Sequence, residues 1–449
     1  MSAVSPARTC AFAVIRRVFE HGAYADRAMH AEAAGLAPRE RAFAMALAYG
    51  TVQRRATLDH VAARLCSRPL PELEPPVLAA LRVGLLQLLF LDGVAEHAAV
   101  NESVELAKLA NGPGRRGPGR GGAPLVNAVL RRAIREGRGI LDALDDRTPE
   151  QAALMHSLPV WLAERWWREL GADRARALMG VLNQPAESAL RVNTLRSTIG
   201  DVRARLPVPA RPAPGLPEGL VLEAPFDAHA SALFETGAIM PQSRGSMLVA
   251  RVLDPRPGDR VLDLCAAPGA KTTQLAALMQ DAGEVVAVER HRGRAEALGR
   301  TCRRMGASCV RVECRDALSV RAHGLYDRVL VDPPCSGLGT LQARPDLRWR
   351  VVPGTVAELA ALQRRILAVA GEATAPAGVL AYSLCTISRQ EGEEVVRWFL
   401  RTHPEFVADD LGAVHPDWSE PSFRSGLQLL PDRDGTDGFF IARLRRTGS

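Results

Sequence analysis

The segment RVLDLCAAPGAKT, residues 260–272, decides the fold. It opens as a short apolar run, passes through small side chains and one proline, and from Ala270 takes on helix-forming composition: a strand, a tight loop and a helix start. From about Gly237 the same rhythm recurs in Glu284 to Val288 (EVVAV), Cys309 to Val312 (CVRV), Arg328 to Val331 (RVLV) and Gly378 to Tyr382 (GVLAY), each followed by a longer helical pattern. Alternating strands and helices predict a parallel, doubly wound α/β sheet over 237–449. In such sheets ligands bind beyond the carboxyl ends of the strands, so the polar residues that end these runs are the first candidates for a site.

The small side chains of Cys265, Ala266, Ala267, Pro268, Gly269 and Ala270 let a ligand approach the backbone, and the following helix presents its N-terminus. Spacing separates the ligand classes. The dinucleotide pattern G-x-G-x-x-G fails because only Gly269 is present, and the phosphate loop fails because Ala270 stands where glycine must precede Lys271. S-adenosylmethionine carries no phosphate and needs only a narrow loop for its methionine part, with carboxylates for its ribose and adenine. Glu289 ends the second run, where a carboxylate can accept from both ribose hydroxyls, and Asp316 follows the third, where it suits the adenine edge. Either acid alone reads as a solvated residue; their joint placement reads as a cofactor site. Lys271 is one of only two lysines, with Lys108, among 57 basic residues, which points to a need for a compact ammonium in the loop.

The fourth run ends in Asp332-Pro333-Pro334-Cys335 and the fifth in Ser383-Leu384-Cys385-Thr386, so two thiols share one sheet edge. Cys302 and Cys309 read instead as small core hydrophobes. Two thiols beside a methyl donor suit carbon 5 of cytosine, which is too weak a nucleophile to take a methyl group unaided. A thiolate adding to carbon 6 pushes electron density onto carbon 5. A carboxyl group near ring nitrogen 3 assists that addition, and Asp332 is placed for it. A second group must then help expel the enzyme sulfur.

Working outward, residues 1–144 show apolar positions at three- and four-residue spacing, which predicts an all-α bundle. Val83 to Leu91 (VGLLQLLFL) is about half the length of a membrane span and reads as a buried helix. Gly112 to Gly122 (GPGRRGPGRGG) forbids helix and predicts a basic loop, either a solvated insertion or an RNA contact. Residues 145–236 predict a small α/β subdomain, with a helix over Val160 to Leu170, a strand over Ala189 to Asn193, and a proline-rich, linker-like stretch from Leu206 to Gly219 that admits neither helix nor central strand. The net charge of +7 fits a polyanionic partner. The 8 scattered cysteines show no C-x-x-C pair, which argues against a structural metal and for a reduced, cytoplasmic setting.

These motifs resemble the Nol1/Nop2/Sun family of RNA cytosine-5 methyltransferases, and in layout its bacterial member acting on small-subunit ribosomal RNA. The resemblance rests on DLCAAPGAKT (263–272), Glu289, Asp316, DPPCSGLGT (332–340) and SLCT (383–386), in family order. The first domain is similar to NusB-type RNA-binding bundles through VNESVELAK (100–108) and VNAVLRR (126–132). The resemblance implies a Rossmann-like methyltransferase domain, Cys385 as nucleophile, Cys335 as the residue that helps release the product, and Asp332 orienting the cytosine. It also implies a cofactor site for S-adenosylmethionine from Cys265 to Lys271 with Glu289, Asp316 and Asp332, and an RNA partner; no metal and no membrane are expected from the cysteine spacing and the short apolar runs, and a monomer is the expected state. Three positions depart from the family pattern: Ala270 and Gly392, where glycine and asparagine are common, and Leu384, where threonine is.

Two other readings compete. Amino-group methyltransferases use an acid or amide, two prolines and an aromatic, but here the fourth residue is Cys335, which cannot stack on a base. An RNA-binding or assembly factor with an idle methyltransferase fold would share the basic charge and the helical half.

Overall fold

A computed structural model describes residues 4–109, 122–321, 325–418 and 426–448; the stretch 112–121 of the basic loop lies outside the described residues. The chain divides into two compact units. One joins Met1–Pro185 to the short segment Leu341–Arg350, and the other comprises Ala186–Thr340 with Val351–Ser449.

The first unit is helical. Its helices Pro6–His21, Pro38–Gln53, Pro75–Phe90 and Pro149–Met155 open on a proline, whose missing N–H goes unused in a first helical turn. Of the run Val83 to Leu91, the residues up to Gln87 are buried in the helix Pro75–Phe90 and Leu88 to Leu91 are half-buried; Leu81 and Leu85 are fully enclosed in the same core as Leu47 and Leu58. Each such side chain contributes about 1.5–3 kcal/mol. Among the described residues no helix is long and apolar enough to cross a membrane. Arg8 is buried, donating to Gln87 at 2.7 Å and pairing with Glu102 at 2.9 Å, so this arginine serves the core. The helix Val160–Leu170 forms where predicted. Segment Leu341–Arg350 carries the fully buried Arg348. Its guanidinium donates to the carbonyls of Gln53, Ser157, Leu182 and Leu341 and to Asn183 Oδ1, all at 2.9–3.2 Å, and burial pulls its pKa down to about 9.

The second unit holds two sheets. Strands β1 (Ala189–Val192), β2 (Ala210–Pro212), β3 (Gly219–Leu222) and β4 (Ile239–Pro241) form an antiparallel sheet in the order β2-β3-β1-β4. The proline-rich stretch is therefore no linker. It supplies β2, an edge strand, where a residue without an N–H can be spared.

The larger sheet contains β5 (Arg260–Leu264), β6 (Glu284–Val288), β7 (Val310–Glu313), β8 (Tyr326–Val331), β9 (Thr374–Leu384), β10 (Phe406–Ala408), β11 (Leu427–Leu429) and β12 (Phe439–Arg446). Its order is β10-β12-β9-β8-β5-β6-β7, with β11 paired to β12. Strands β5 to β9 run parallel in a Rossmann-like order, but β10, β11 and β12 pair antiparallel, so the sheet is mixed where a parallel one was predicted. No crossover helix precedes β12: after β11 the chain turns back through the short helix Pro431–Asp434, which leaves antiparallel pairing. Strands β5 and β8 are neighbours although far apart in sequence, and the crossovers diverge from them, which opens a crevice at their carboxyl ends.

Candidate active site

Strand β5 ends in Asp263 and Leu264, and the chain then turns sharply. Cys265 adopts φ +70° and Gly269 φ +104°, the second capping the helix Ala270–Leu278. A Cβ on Gly269 would stand 2.7 Å from Leu298 Cδ1, so both the conformation and the close packing require glycine. The loop lines a cleft of about 220 Å³ together with Gln242, Ser243, Asp263 and Asp332. Glu289 and Asp316 lie at neighbouring strand ends but outside that lining.

Asp263 lines the cleft although sequence reasoning did not single it out as a site residue. Its Oδ2 accepts from the Thr272 hydroxyl at 2.7 Å, while its buried Oδ1 has no hydrogen-bond partner among the described residues. Burial drives its carboxyl up to about 7, against the pull of Thr272. An enclosed acceptor without a donor suits a cationic or N–H-bearing ligand, and the ammonium of S-adenosylmethionine supplies one. The residues present therefore fit that group. An acid within the closing residues of the first strand is the sequence signal for Asp263, of the same kind as Glu289 and Asp332 after theirs. Cys265 is unsuited to nucleophilic work: burial first, then Asp332, Asp263 and Glu289, push its thiol up to about 12.

Glu289 is buried, with Oε1 accepting from the His291 backbone N–H at 2.8 Å and Oε2 lying 3.4 Å from Arg294. Asp316 is exposed and caps the short turn Ala317–Ser319, accepting from the Leu318 N–H at 2.9 Å. Lys271 donates to Asp332 Oδ2 at 2.8 Å, and its ammonium sits 5.2 Å above the Phe439 ring. Burial works against that ammonium, but Asp332, Cys385 and Asp263 outweigh it and hold its pKa above the usual lysine value. The Ser383 hydroxyl donates to Asp332 Oδ1 at 2.9 Å, so both oxygens of Asp332 are oriented.

The two cysteines meet. Cys335 Sγ and Cys385 Sγ are 3.4 Å apart, at the carboxyl ends of the adjacent strands β8 and β9, and the Gly339 N–H donates to the Cys385 carbonyl at 3.1 Å. The hydrogen bond with Cys385, then burial, then nearby negative charge hold the Cys335 thiol well above its ordinary range. Gly392 also finds a reason, because a Cβ there would stand 2.8 Å from Phe440 Cγ; a larger residue would have to displace that ring.

Comparison with known proteins finds relatives along nearly the whole chain. The family model for the 16S rRNA methyltransferase RsmB/F matches residues 250–445, that for the NusB family residues 5–135, and that for the RsmF/B-like ferredoxin-like domain residues 158–229. A probable ribosomal RNA small subunit methyltransferase B from Synechocystis is 35% identical, covering 98% of this chain and 99% of its own. Ribosomal RNA small subunit methyltransferase B from Thermus thermophilus is 40% identical over 92% of this chain and 90% of its own. The crystal structure of PH0851 superposes with a TM-score of 0.82 at 27% identity, covering 99% of this chain and 100% of that one. Full-length relatives of one kind, and three domain models falling on the chain without overlap, leave a single assignment: the chain belongs to the RsmB/F family of 16S rRNA methyltransferases.

Proposed function

We propose that this chain methylates carbon 5 of a cytosine in small-subunit ribosomal RNA, through a covalent adduct between Cys385 and carbon 6. The observation that carries the reading is the 3.4 Å separation of Cys335 and Cys385 at the strand ends beside Asp332. When bound, S-adenosylmethionine supplies an electrophilic methyl group on a positive sulfur. Cys265 to Lys271, Asp263, Glu289, Asp316 and Asp332 would hold it.

The thiol proton of Cys385 passes to solvent before attack. Cys385, as thiolate, forms a bond to carbon 6 of a cytosine taken out of its stack, and the electron pair moves toward carbon 5. A proton taken up from solvent at nitrogen 3 neutralises the charge that reaches the ring, and Asp332, fixed by Lys271 and Ser383, accepts a hydrogen bond from that N–H. Once carbon 5 has gained its methyl group it gives up its proton to a base, and the carbon–sulfur bond breaks with the pair returning to Cys385. Cys335 assists there, its S–H donating to the departing sulfur.

The test is to supply unmodified small-subunit ribosomal RNA and labelled S-adenosylmethionine and to map the product. A methyl group on carbon 5 of a cytosine is expected. One on an exocyclic nitrogen overturns the reading.

A further inference from the structure

Behind the two sulfurs lies a carboxylate that no step above uses. Glu391 is fully buried. Its Oε1 accepts from the Ser336 backbone N–H at 2.8 Å and from Gln363 Nε2 at 3.1 Å, and its Oε2 from the Ser336 hydroxyl at 2.5 Å and the Thr386 hydroxyl at 3.4 Å. Ser336 follows Cys335 and Thr386 follows Cys385, and their hydroxyls stand 2.7 Å apart. One carboxylate thus grips both cysteine loops. Gln363 extends the grip by donating to the Pro334 carbonyl at 2.9 Å, and the Tyr382 hydroxyl donates to the carbonyl of Glu391 itself at 2.8 Å.

All four donors to this carboxylate are neutral. Burying a charge costs more than burying an amide of the same shape, so packing alone gives no reason for an acid here. We infer that Glu391 is a positioning residue, a buried strut that ties the two cysteine loops to each other and sets the distance between their sulfurs; the role rests on the cysteine chemistry proposed above. Its charge has a second effect. Cys335 is faced by Cys385, Asp332 and Glu391, with Lys271 near Cys385 and Arg364 near Tyr382. After the hydrogen bond to Cys385 and burial, the charges of Cys385, Glu391 and Asp332 help keep the proton on Cys335. A protonated Cys335 donates to the Cys385 sulfur, which supports a thiolate both as it attacks and as it leaves.

Glu391→Gln keeps the shape and removes the charge. With a small-subunit ribosomal RNA transcript, its kcat should fall about tenfold to a hundredfold, because small displacements of reacting groups carry penalties of that size. KM for the transcript and the rise in Tm caused by S-adenosylmethionine should stay as in the parent. In a Cys385→Ser background, the pH midpoint for iodoacetamide alkylation of Cys335 should move down when Glu391→Gln is added. A parental kcat overturns the strut, and so does loss of the S-adenosylmethionine response together with activity, which would mean general damage. Should Glu391→Gln fail to fold, Ser336→Ala removes one strut bond, and a parental kcat there overturns the proposal equally. A transcript made with 5-fluorocytidine, whose carbon 5 has no proton to lose, should trap the parent covalently and Glu391→Gln more slowly. If the parent traps nothing, the cytosine reading fails and the strut's role in it falls too; if the parent traps and Glu391→Gln traps at the same rate, the strut alone is overturned.

Discussion

Two pairs of cysteines in the same unit have opposite fates. Cys302 and Cys309 pack against the core formed by Ala276, Ala287 and Leu298, and burial drives both thiols up to about 12. Cys335 and Cys385 are half-buried like Cys309, but they stand at the carboxyl ends of β8 and β9, touch each other, and are ringed by Asp332, Ser336, Thr386 and Lys271. The residue type is the same. What differs is the address: Cys302 and Cys309 lie in an apolar packing layer, where Asp281 beside Cys309 holds its proton on, whereas a thiol past a strand end meets hydroxyls, a second thiol and a cleft.

Substitutions should divide along that line. Cys385→Ala should abolish methylation and adduct formation together, a loss of about a thousandfold or more, as when a covalent nucleophile is removed. Cys335→Ala should slow turnover by about a hundredfold while a covalent protein–RNA species accumulates on denaturing gels; no such species in the presence of S-adenosylmethionine would dissolve the contrast within the pair. Lys271→Arg should weaken S-adenosylmethionine binding by roughly tenfold, about 1.4 kcal/mol, in a calorimetric titration, since the ammonium is enclosed between Asp332 and the Phe439 ring. Cys302→Ala should leave the reaction unchanged and lower stability by roughly 1 kcal/mol in a denaturant titration.

Asp263 gives the comparison a pH dependence. Its carboxyl is raised to about 7 in the folded chain, whereas an unfolded aspartate titrates near about 4. The folded state thus holds a proton that the unfolded state has released, so this group's contribution is most favourable below about pH 4 and declines as pH rises toward about 7. Without ligand, Asp263→Asn should therefore have the higher Tm at pH 8 and should lose that advantage at low pH. A parallel pair of Tm curves from pH 4 to pH 8 would show that the acid is not held protonated.

Much of this was legible in the sequence because strand ends announce themselves locally. The run before Cys265, the acid at Glu289, and the two cysteines after apolar runs could each be read from about ten neighbouring residues. Glu391 could not, because its meaning comes from Ser336 and Gln363, which the fold brings to it from distant segments. The mixed character of the sheet was hidden for a similar reason. A strand pattern says that a strand forms and which faces it offers, but not the direction of its neighbour, which depends on the connection. The proline-rich stretch was misjudged as a linker because an edge strand and a linker tolerate proline equally.

The return of Leu341–Arg350 to the helical unit also sets an order of events during synthesis. A ribosome that has delivered residues 1–185 has not yet delivered Arg348, the donor that the carbonyls of Gln53, Ser157 and Leu182 meet in the finished protein. Each of those enclosed acceptors, left waiting, costs about 1–3 kcal/mol. The amino-terminal half can therefore be completed only after most of the carboxyl-terminal half has emerged, and a fragment cut at residue 185 inherits the vacancy permanently.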